Sequence, residues 1–381
     1  MRDAVIVNAV RTPVGKRNGG LAQVHPADLS AHVLRALAAR TDLDPGLVDD
    51  VVWGCVQGVD EQSACIARTA VLSAGWPETV PGVTLDRQCG SSQQSVHFAA
   101  AGLIAGHYDV VVAGGVESMS RIPLGSGSAG GNPWGGEGWA ARYGEMPNQG
   151  LAAELIADKW QLSRQQLDEF AVLSHAKADA AQAAGAFDAE IVPVQAPGGL
   201  VRADEGIRPG STVEKLGTLT PAFKEDGKIH AGNSSQISDA AAGLLMMTTE
   251  KARQLGLTPL ARVHTATVAA ANPIEMLTAP IPATEKALKR AGLTISDIDL
   301  FEVNEAFASV PMAWLAETGA DPARLNIHGG AIALGHPLGG SGARLMTTLL
   351  SSLQQTGGRF GLQTMCEGGG QANATIIEMI R

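Results

Sequence analysis

Short apolar runs alternate with helical stretches near the start of the chain. Residues 51–53, 83–86 and 109–114 each read as a short buried strand, and a helix over about Ser91–Ala105 fits between the last two. Strands that alternate with helices are typical of an α/β fold. We therefore predict a sheet covered by helices in this part of the chain.

The pattern changes between about residues 118 and 238. A glycine-rich stretch, GSGSAGGNPWGGEGW, is followed by a helical pair around 151–184 and then by irregular polar sequence. Beyond this segment the strand pattern returns at 258–264 and 298–303, and a further helix ends before Gly292. This pattern indicates a loop domain inserted into an α/β chain.

Two parts of the chain follow the same order of elements. VTLD leads through a glycine turn and a helix to DVVVAGG, and LNIHGG leads through a glycine loop and a helix near 341–353 to RFGLQTMCEGGG. We interpret this as a duplication. The predicted units are an N-terminal half (1–118 with 239–259), a loop domain (119–238) and a C-terminal half (260–381).

Composition and charge narrow the class of protein. The chain has 381 residues, 45% of them apolar and 17% charged, which is typical of a folded globular protein with two or three domain-sized units. A net charge of -10 argues against nucleic acid as a partner, although a small anion could still bind to local cations or backbone N–H groups. We find no secretory signal and no apolar run of 18 residues, and we expect no membrane association.

The four cysteines include no CxxC pair. This usage suits a reducing compartment and predicts a cytoplasmic protein without a disulfide framework or a zinc cluster. Cys89, in LDRQCGSSQQS, follows a predicted strand and begins a predicted helix. Helix N-terminal N–H groups lower a thiol pKa, so Cys89 is a candidate nucleophile, although an isolated cysteine is more often buried and inert.

Three other residues stand at positions that suit chemistry. His336 lies in the glycine-rich GGAIALGHPLGGSG, unlike a core histidine, and Cys366 ends a predicted buried strand before three glycines. Asn304, in VNEAF, follows another strand, where it could orient water or a carbonyl group or simply cap a helix.

QCGSS, NEAF, GHPLGGSGAR and CEGGG occur in the order and at the wide spacings of the thiolase family, which the whole chain resembles. The likeness is to the degradative branch acting on 3-oxoacyl-CoA, including bacterial steroid side-chain thiolases, because of QCGSSQQ, PNQGLAAE and NSSQISDAA. It implies an α/β thiolase fold, with two βαβαβαββ halves in a five-layered αβαβα sandwich and an inserted loop domain. GEMPNQGLAAE stands where biosynthetic acetoacetyl-CoA thiolases carry a His-Met pair. The loss of that histidine favours a larger or different acyl group.

The resemblance also implies a ping-pong acetyl-CoA C-acyltransferase. His336 takes the proton of Cys89, whose sulfur forms an acyl-enzyme, and Cys366 exchanges a proton with acetyl-CoA, with a pKa near ambient pH. One oxyanion hole consists of the N–H groups of Cys89 and Gly368, and the other of His336 and a water held by Asn304. The reaction needs no metal and no bound cofactor, and coenzyme A is a substrate or product.

By the same likeness, coenzyme A lies against the loop domain, with Ser235 near the pantetheine and Arg208 near the nucleotide. Phe223, Met276 and Phe307 then line the channel, although core packing explains these three equally well and Arg208 could be a surface charge. The resemblance further implies acyl-CoA partners and a homodimer or homotetramer.

Other functions fit the sequence less well. GSGSAG matches a dinucleotide-binding string, but no helix follows it, so we assign it to a flexible loop. A papain-like protease lacks its local signature here. A ketoacyl synthase shares the fold implied but has no second catalytic cysteine, and a non-catalytic acyl-CoA-binding or sterol-carrier protein should lack Cys89. A biosynthetic acetoacetyl-CoA thiolase remains the main alternative.

Overall fold

The computed structural model describes residues 2–128 and 130–380. Ala129 of the GSGSAG string lies outside the described residues. So do Met1, the first residue of the predicted N-terminal half, and Arg381, the last residue of the predicted C-terminal half. Within the described ranges the strands are β1 (Val5–Arg11), β2 (Gly15–Lys16), β3 (Asp50–Gly54), β4 (Gly82–Leu85), β5 (Val110–Ser118), β6 (Val194–Ala196), β7 (Gly199–Val201), β8 (Ser238–Met247), β9 (Ala261–Ala270), β10 (Leu300–Val303), β11 (Phe360–Glu367) and β12 (Gln371–Met379).

The helices in the same ranges are α1 (Pro26–Thr41), α2 (Ile66–Ser73), α3 (Ser91–Ala105), α4 (Glu137–Tyr143), α5 (Gln149–Lys159), α6 (Arg164–Ala183), α7 (Val213–Gly217), α8 (Thr249–Gln254), α9 (Pro280–Ala291), α10 (Ser309–Thr318), α11 (Ala331–Leu334) and α12 (Leu338–Thr356). Helix α9 ends as predicted, because Gly292 follows it in the left-handed region (φ 68°). No helix in the described part of the chain is both long enough and apolar enough to span a bilayer.

One sheet runs through both halves in the order β10-β11-β12-β9-β1-β8-β5-β3-β4, with β2 paired to β8. The N-terminal part has the chain order β1-α1-β3-α2-β4-α3-β5-β8, which is the βαβαβαββ repeat. The C-terminal part repeats this order, with a single parallel bridge between Phe301 and Leu325 in place of β4. The halves join where Val5 pairs with Arg262 and Ile6 with Ala261.

The helices form three layers around the two half-sheets. Helices α3 and α12 pack against each other between the half-sheets, and their shared core includes Val96, Leu349, Val111 and Ile377. Helices α1 and α2 cover the outer face of the N-terminal half, and α9 covers that of the C-terminal half. The result is the αβαβα arrangement, and it explains why the central helix α12 is buried from Leu338–Leu353 on every side.

The inserted segment lies between the end of β5 at Ser118 and the beginning of β8 at Ser238. It contains the expected helical pair, α5 and α6, together with the hairpin β6-β7 and the short helices α4 and α7. Ser163 begins α6 with a capping box that includes Gln166. The limits of the three predicted units stay a prediction. The end of β5 at Ser118 and the beginning of β8 at Ser238 lie close to the two predicted limits of the loop domain.

Candidate active site

A cavity of about 660 Å³ opens between the loop segment and the two halves. Five residues selected from the sequence border it: Cys89, His336, Phe223, Ser235 and Phe307. Apolar side chains form much of the remaining wall, including Met119, Leu124, Trp134 and Leu338. The glycine-rich stretch assigned to a flexible loop also contributes to this wall, through Gly125, Gly127 and Ser128.

Cys89 lies in a tight turn between β4 and α3. Asp86 Oδ1 accepts a hydrogen bond from the Gln88 N–H at 2.6 Å, and Gln88 takes a left-handed backbone conformation (φ 49°). Gly90 then caps α3, and a side chain at this position would collide with the Glu367 carboxyl. The turn therefore places the cysteine at the helix N-terminus, as the sequence predicted.

The expected lowering of the Cys89 pKa is wrong. Burial raises the pKa of Cys89 well above its usual value, and the nearby Cys366 and Glu367 raise it further. The hydrogen bond with its own backbone N–H acts in the opposite direction but is the smaller effect. Cys89 is therefore a neutral thiol at rest and needs a base to become a nucleophile.

His336 is held in the form that can act as this base. Ser341 Oγ donates to the Pro337 carbonyl at 2.8 Å, so its oxygen accepts from His336 Nδ1 at 2.6 Å. The ring proton is thus on Nδ1, and Nε2 carries the lone pair, which Asn304 Nδ2 approaches at 3.4 Å. Burial, with the Arg344 charge, lowers the pKa of His336 to about 3 and keeps the ring neutral.

The backbone around His336 fixes the ring in the cavity wall. Gly335 has φ 98°, and a side chain there would collide with Ser238, so glycine is required at this turn. The His336 N–H donates to the Gln236 carbonyl at 3.1 Å and to Ser238 Oγ at 3.2 Å. This loop is therefore anchored to the beginning of β8.

Asn304 and Cys366 lie next to these two groups without bordering the cavity. Asn304 Nδ2 is 3.4 Å from His336 Nε2, and its backbone N–H donates to the Thr364 carbonyl on β11. Cys366 is almost fully buried at the end of β11, and burial followed by the charge of Glu367 raises its pKa to about 12. A resting pKa near ambient pH, as expected for Cys366, is therefore wrong.

The other predicted residues are divided between the cavity and its surroundings. Gly368 lies against the side chain of Gln88, which borders the cavity. The Phe223 and Phe307 rings meet edge to face at 6.0 Å, whereas Met276 is buried in the core with Phe307. Arg208 is exposed away from the cavity, and its backbone N–H donates to His175 Nδ1.

Sequence reasoning missed three residues that shape this region. Trp134 borders the cavity and lies over Gly369, Ser341 orients His336, and Glu367 adjoins both cysteines. The GHPLGGSG and CEGGG motifs contain or adjoin Ser341 and Glu367, so both could have been selected by their position. Trp134 lies in a glycine-rich stretch that gives no periodic signal.

Comparison with known proteins identifies the family. The model of the thiolase N-terminal domain matches residues 4–250, and that of the thiolase C-terminal domain matches residues 257–379. The chain belongs to the thiolase family. The predicted family, fold class and enzyme class are thereby confirmed, and this thiolase has the α/β fold implied by its motifs.

Individual thiolases resemble this one over its whole length. Steroid 3-ketoacyl-CoA thiolase FadA6 of Mycobacterium tuberculosis is 51% identical, with 100% of this chain and 95% of that protein covered. A 3-ketoacyl-CoA thiolase of Aeromonas hydrophila is 44% identical over 100% of both chains. The crystal structure of Bacillus anthracis acetyl-CoA acetyltransferase superimposes with a TM-score of 0.90 at 36% identity, covering 100% and 99% of the two chains.

Proposed function

We propose that this thiolase cleaves 3-oxoacyl-CoA with coenzyme A to acetyl-CoA and a shortened acyl-CoA, and that it catalyses the reverse Claisen condensation. One observation carries the proposal: Cys89 and His336 border one cavity, and His336 is neutral with its lone pair on Nε2, where Asn304 Nδ2 approaches at 3.4 Å. The buried neutral thiol of Cys89 needs a base that takes its proton, and the neutral ring of His336 can accept that proton at Nε2.

In the first half-reaction, His336 Nε2 takes the Cys89 proton and the sulfur attacks the 3-oxo carbon. The bond between C2 and C3 then breaks, which leaves the shortened acyl group on the sulfur and the electron pair on the acetyl-CoA enolate. Cys366 gives its proton to C2 of this enolate, so acetyl-CoA leaves and Cys366 becomes a thiolate. The high pKa of Cys366 matches a group that holds its proton until a strong base forms.

In the second half-reaction, the Cys366 thiolate takes the proton of an incoming coenzyme A thiol. The coenzyme A sulfur attacks the acyl carbonyl, and the bond to Cys89 breaks as His336 returns its proton to the leaving sulfur. Both cysteines are then thiols and His336 is neutral again. Every proton is accounted for without a bound cofactor or a metal.

Each half-reaction places negative charge on an oxygen. We assign one oxyanion to the backbone N–H groups of Cys89 and Gly368, and the other to His336 with a water held by Asn304. The 3.4 Å distance between Asn304 Nδ2 and His336 Nε2 supports the second assignment. The first is supported by the position of Gly368 so close to the Cys89 turn that a side chain there would meet Gln88 Oε1 at 2.9 Å. A preorganised donor in a dry site contributes about 3 kcal/mol.

Substrate contacts are assigned to residues that border the cavity. Ser235, Phe223 and Phe307 are among them, and we assign the pantetheine of coenzyme A to these three. We also assign Arg208 to the nucleotide and Met276 to the channel, although neither residue borders the cavity. Met119, Leu124 and Trp134 form an apolar wall that suits a bulky acyl group, and the steroid 3-ketoacyl-CoA relative supports a steroid-derived chain.

We also propose self-association into a homodimer or homotetramer in the cytoplasm. Strand β4 forms one edge of the sheet, where its backbone groups are open to pairing. Val83 on this strand is 43% exposed and Phe98 on the adjoining α3 is 52% exposed. Sedimentation equilibrium tests this assembly, and a monomer at micromolar concentration would contradict it.

Replacement of Cys89 tests the chemistry. Cys89→Ala should lose thiolysis by a factor of about 10⁴ or more while keeping the fold, because the nucleophile is gone. After incubation with acetyl-CoA, mass spectrometry of the wild type should show one acetyl group on Cys89. Cys55→Ala is the matched control and should keep the adduct, whereas an adduct on Cys55 or Cys65 alone would refute the assignment.

Substrate preference needs a separate comparison. The panel consists of acetoacetyl-CoA and of medium-chain, long-chain and steroid-derived 3-oxoacyl-CoA, and kcat/KM ranks them. We expect the steroid-derived substrate to rank first. A preference for acetoacetyl-CoA would instead support the biosynthetic alternative.

A further inference from the structure

The turn at residues 230–235 forms part of the cavity wall. It lies between α7 and β8, and two of its residues, Ser234 and Ser235, border the cavity. Ser235 is also a residue to which we assign the pantetheine of coenzyme A. Because the turn lies outside the helices and strands, other groups must hold its backbone in one conformation. Those groups therefore determine where Ser235 meets coenzyme A.

One side of this turn is joined by its backbone to residues 306–308. The Ser235 N–H donates to the Ala306 carbonyl at 2.9 Å, and the Ala308 N–H donates to the Asn233 carbonyl at 2.9 Å. Phe307 lies between these two bonds and borders the cavity as well. Ser235 and Phe307 are therefore fixed relative to each other, and both pantetheine contacts depend on the support of the turn.

The Asp168 carboxylate on α6 supports the other side of the turn. Its Oδ1 accepts from His230 Nε2 at 2.7 Å and from Asn233 Nδ2 at 3.0 Å. All three side chains are almost completely buried, and none of them borders the cavity. Hydrogen bonds to a charged acceptor are about twice as strong as those between neutral groups. Asp168 thus ties the turn firmly to α6.

Backbone groups fix which atoms of His230 and Asn233 face Asp168. The Gly232 N–H donates to His230 Nδ1 at 3.0 Å, so the ring proton is on Nε2 and is donated to Asp168. The His230 N–H donates to Asn233 Oδ1 at 2.9 Å, and Asn233 Nδ2 donates to the Lys228 carbonyl at 2.9 Å. A backbone N–H only donates and a carbonyl only accepts, so turning either side chain over would break these bonds.

Both bonds from the turn use the same oxygen of Asp168. The other oxygen, Oδ2, lies 3.7 Å from Nε of Arg164, which precedes Asp168 by one turn of α6. Asp168→Asn can therefore keep an oxygen at the Oδ1 position for both donors and lose only the ion pair with Arg164. Asp168→Ala, in contrast, leaves His230 and Asn233 without this acceptor.

We propose that Asp168, together with His230, is a positioning residue for coenzyme A: the pair holds the 230–235 turn in the conformation in which Ser235 and Phe307 meet the pantetheine. The inference rests on the proposed function, which assigns the pantetheine to these two residues. Asp168 and His230 do not border the cavity, so they act through the turn rather than on the ligand.

The test measures the Kd of coenzyme A by isothermal titration calorimetry. Asp168→Ala should raise it about 10-fold, because the turn loses hydrogen bonds to a charged acceptor. Asp168→Asn should stay within about threefold of the wild type, since its amide oxygen accepts from the same two donors. Wild-type affinity in Asp168→Ala, or equal weakening in both variants, would overturn the proposal.

A second ligand and a control variant separate positioning from a general loss of structure. The nucleotide part alone, 3′-phospho-ADP, lacks the pantetheine, so its Kd should be the same in Asp168→Ala and the wild type. Ser30→Ala removes another buried acceptor, which the Trp53 Nε1–H uses at 3.1 Å, and Ser30 lies on α1 away from the cavity. It should keep the wild-type Kd of coenzyme A. Weaker binding of 3′-phospho-ADP by Asp168→Ala, or of coenzyme A by Ser30→Ala, would overturn the role in positioning.

Steady-state thiolysis provides a matching measurement. KM for coenzyme A should rise about 10-fold in Asp168→Ala, whereas kcat should stay within about threefold, because the lost interaction contributes to binding and not to the chemical step. A fall in kcat with an unchanged KM would overturn the proposal.

His230→Ala serves if Asp168→Ala does not fold, because it removes the same contact and leaves Asp168 bonded to Asn233. It should raise the Kd of coenzyme A about fivefold, and wild-type affinity would overturn the proposal. Failure of acetyl-CoA to acylate Cys89 in the wild type, in contrast, would overturn the proposed function and is measured separately.

Discussion

At the scale of single residues, the Ser341 hydroxyl determines which nitrogen of His336 can act as a base. Ser341→Ala removes the acceptor for Nδ1–H, so the ring can turn or change tautomer. We expect kcat to fall about 10-fold, less than the 10²–10⁴ that a whole general base contributes. KM for the acyl-CoA should change little, because Ser341 does not border the cavity.

A second serine on α12 provides the control for this prediction. Ser352 is also buried, and its hydroxyl makes no hydrogen bond to the described residues. Ser352→Ala should keep kcat within about twofold of the wild type, since removal of an unpaired hydroxyl costs little. Equal losses in the two variants would indicate a packing effect in α12 instead of control of the tautomer.

The sequence predicted which residues carry the chemistry but not their resting charge. Cys89 and His336 could be selected because the sequence around each of them indicates strand ends, helix starts and glycine turns. The predicted direction of the Cys89 pKa shift was wrong, because the shift depends on burial and on the charges of Cys366 and Glu367, which lie 277 and 278 residues further along the chain. Such contacts leave no local pattern.

At the scale of elements, Glu117 at the end of β5 joins three segments. Its carboxylate accepts from the N–H groups of Val56, Gln57 and Gly339 at 2.8 to 3.1 Å and from Gln62 Nε2 at 2.7 Å. Val56 and Gln57 border the cavity, and Gly339 lies in the first turn of α12. One side chain thus fixes both the wall and the helix that follows His336.

Glu117→Gln should therefore destabilise the protein and loosen the part of the cavity wall that Val56 and Gln57 form. The new amide NH₂ faces N–H donors, so the free energy of unfolding should fall by about 2–4 kcal/mol in urea titrations. Glu250→Gln, on the exposed α8, should change it by less than about 0.5 kcal/mol. Equal stability of the two variants would contradict the role of Glu117.

Most elements could be predicted, and the exceptions have a common cause. The strands β3, β4 and β10 begin and end within two residues of the predicted runs, because each is apolar and bounded by turn residues, whereas β5 continues four residues past its predicted end. Helix α4 was missed because it lies between Gly136 and Gly144 in a glycine-rich stretch. The counterpart of β4 in the C-terminal half is reduced to the Phe301–Leu325 bridge, which no periodicity reveals.

At the scale of the whole molecule, a buried charge cluster connects β1 to the inserted segment. Arg11 is fully buried and pairs with Glu190 at 2.6 Å and with Asp204 at 2.7 Å. These partners are 179 and 193 residues away, so the sequence could not reveal them. Because a buried charge without its partner is costly, the cluster favours one placement of the loop segment over the N-terminal half.

Buried histidines should make the whole molecule sensitive to acid. Burial lowers the pKa of His97 and His336 to about 3 and that of His175 to about 4, whereas in the unfolded chain these groups titrate near 6.5. Below about pH 6.5 the unfolded state therefore binds protons that the folded state does not, and stability should fall as pH drops toward 4.

His97→Gln should remove one part of this loss, because glutamine keeps polar groups toward Asn373 and Thr375 but does not titrate. Urea midpoints measured from about pH 7 to 4 should fall less steeply in this variant than in the wild type. His107→Gln replaces an exposed histidine two residues past the end of α3 and should keep the wild-type slope. Identical slopes for His97→Gln and the wild type would mean that His97 already binds its proton in the folded enzyme.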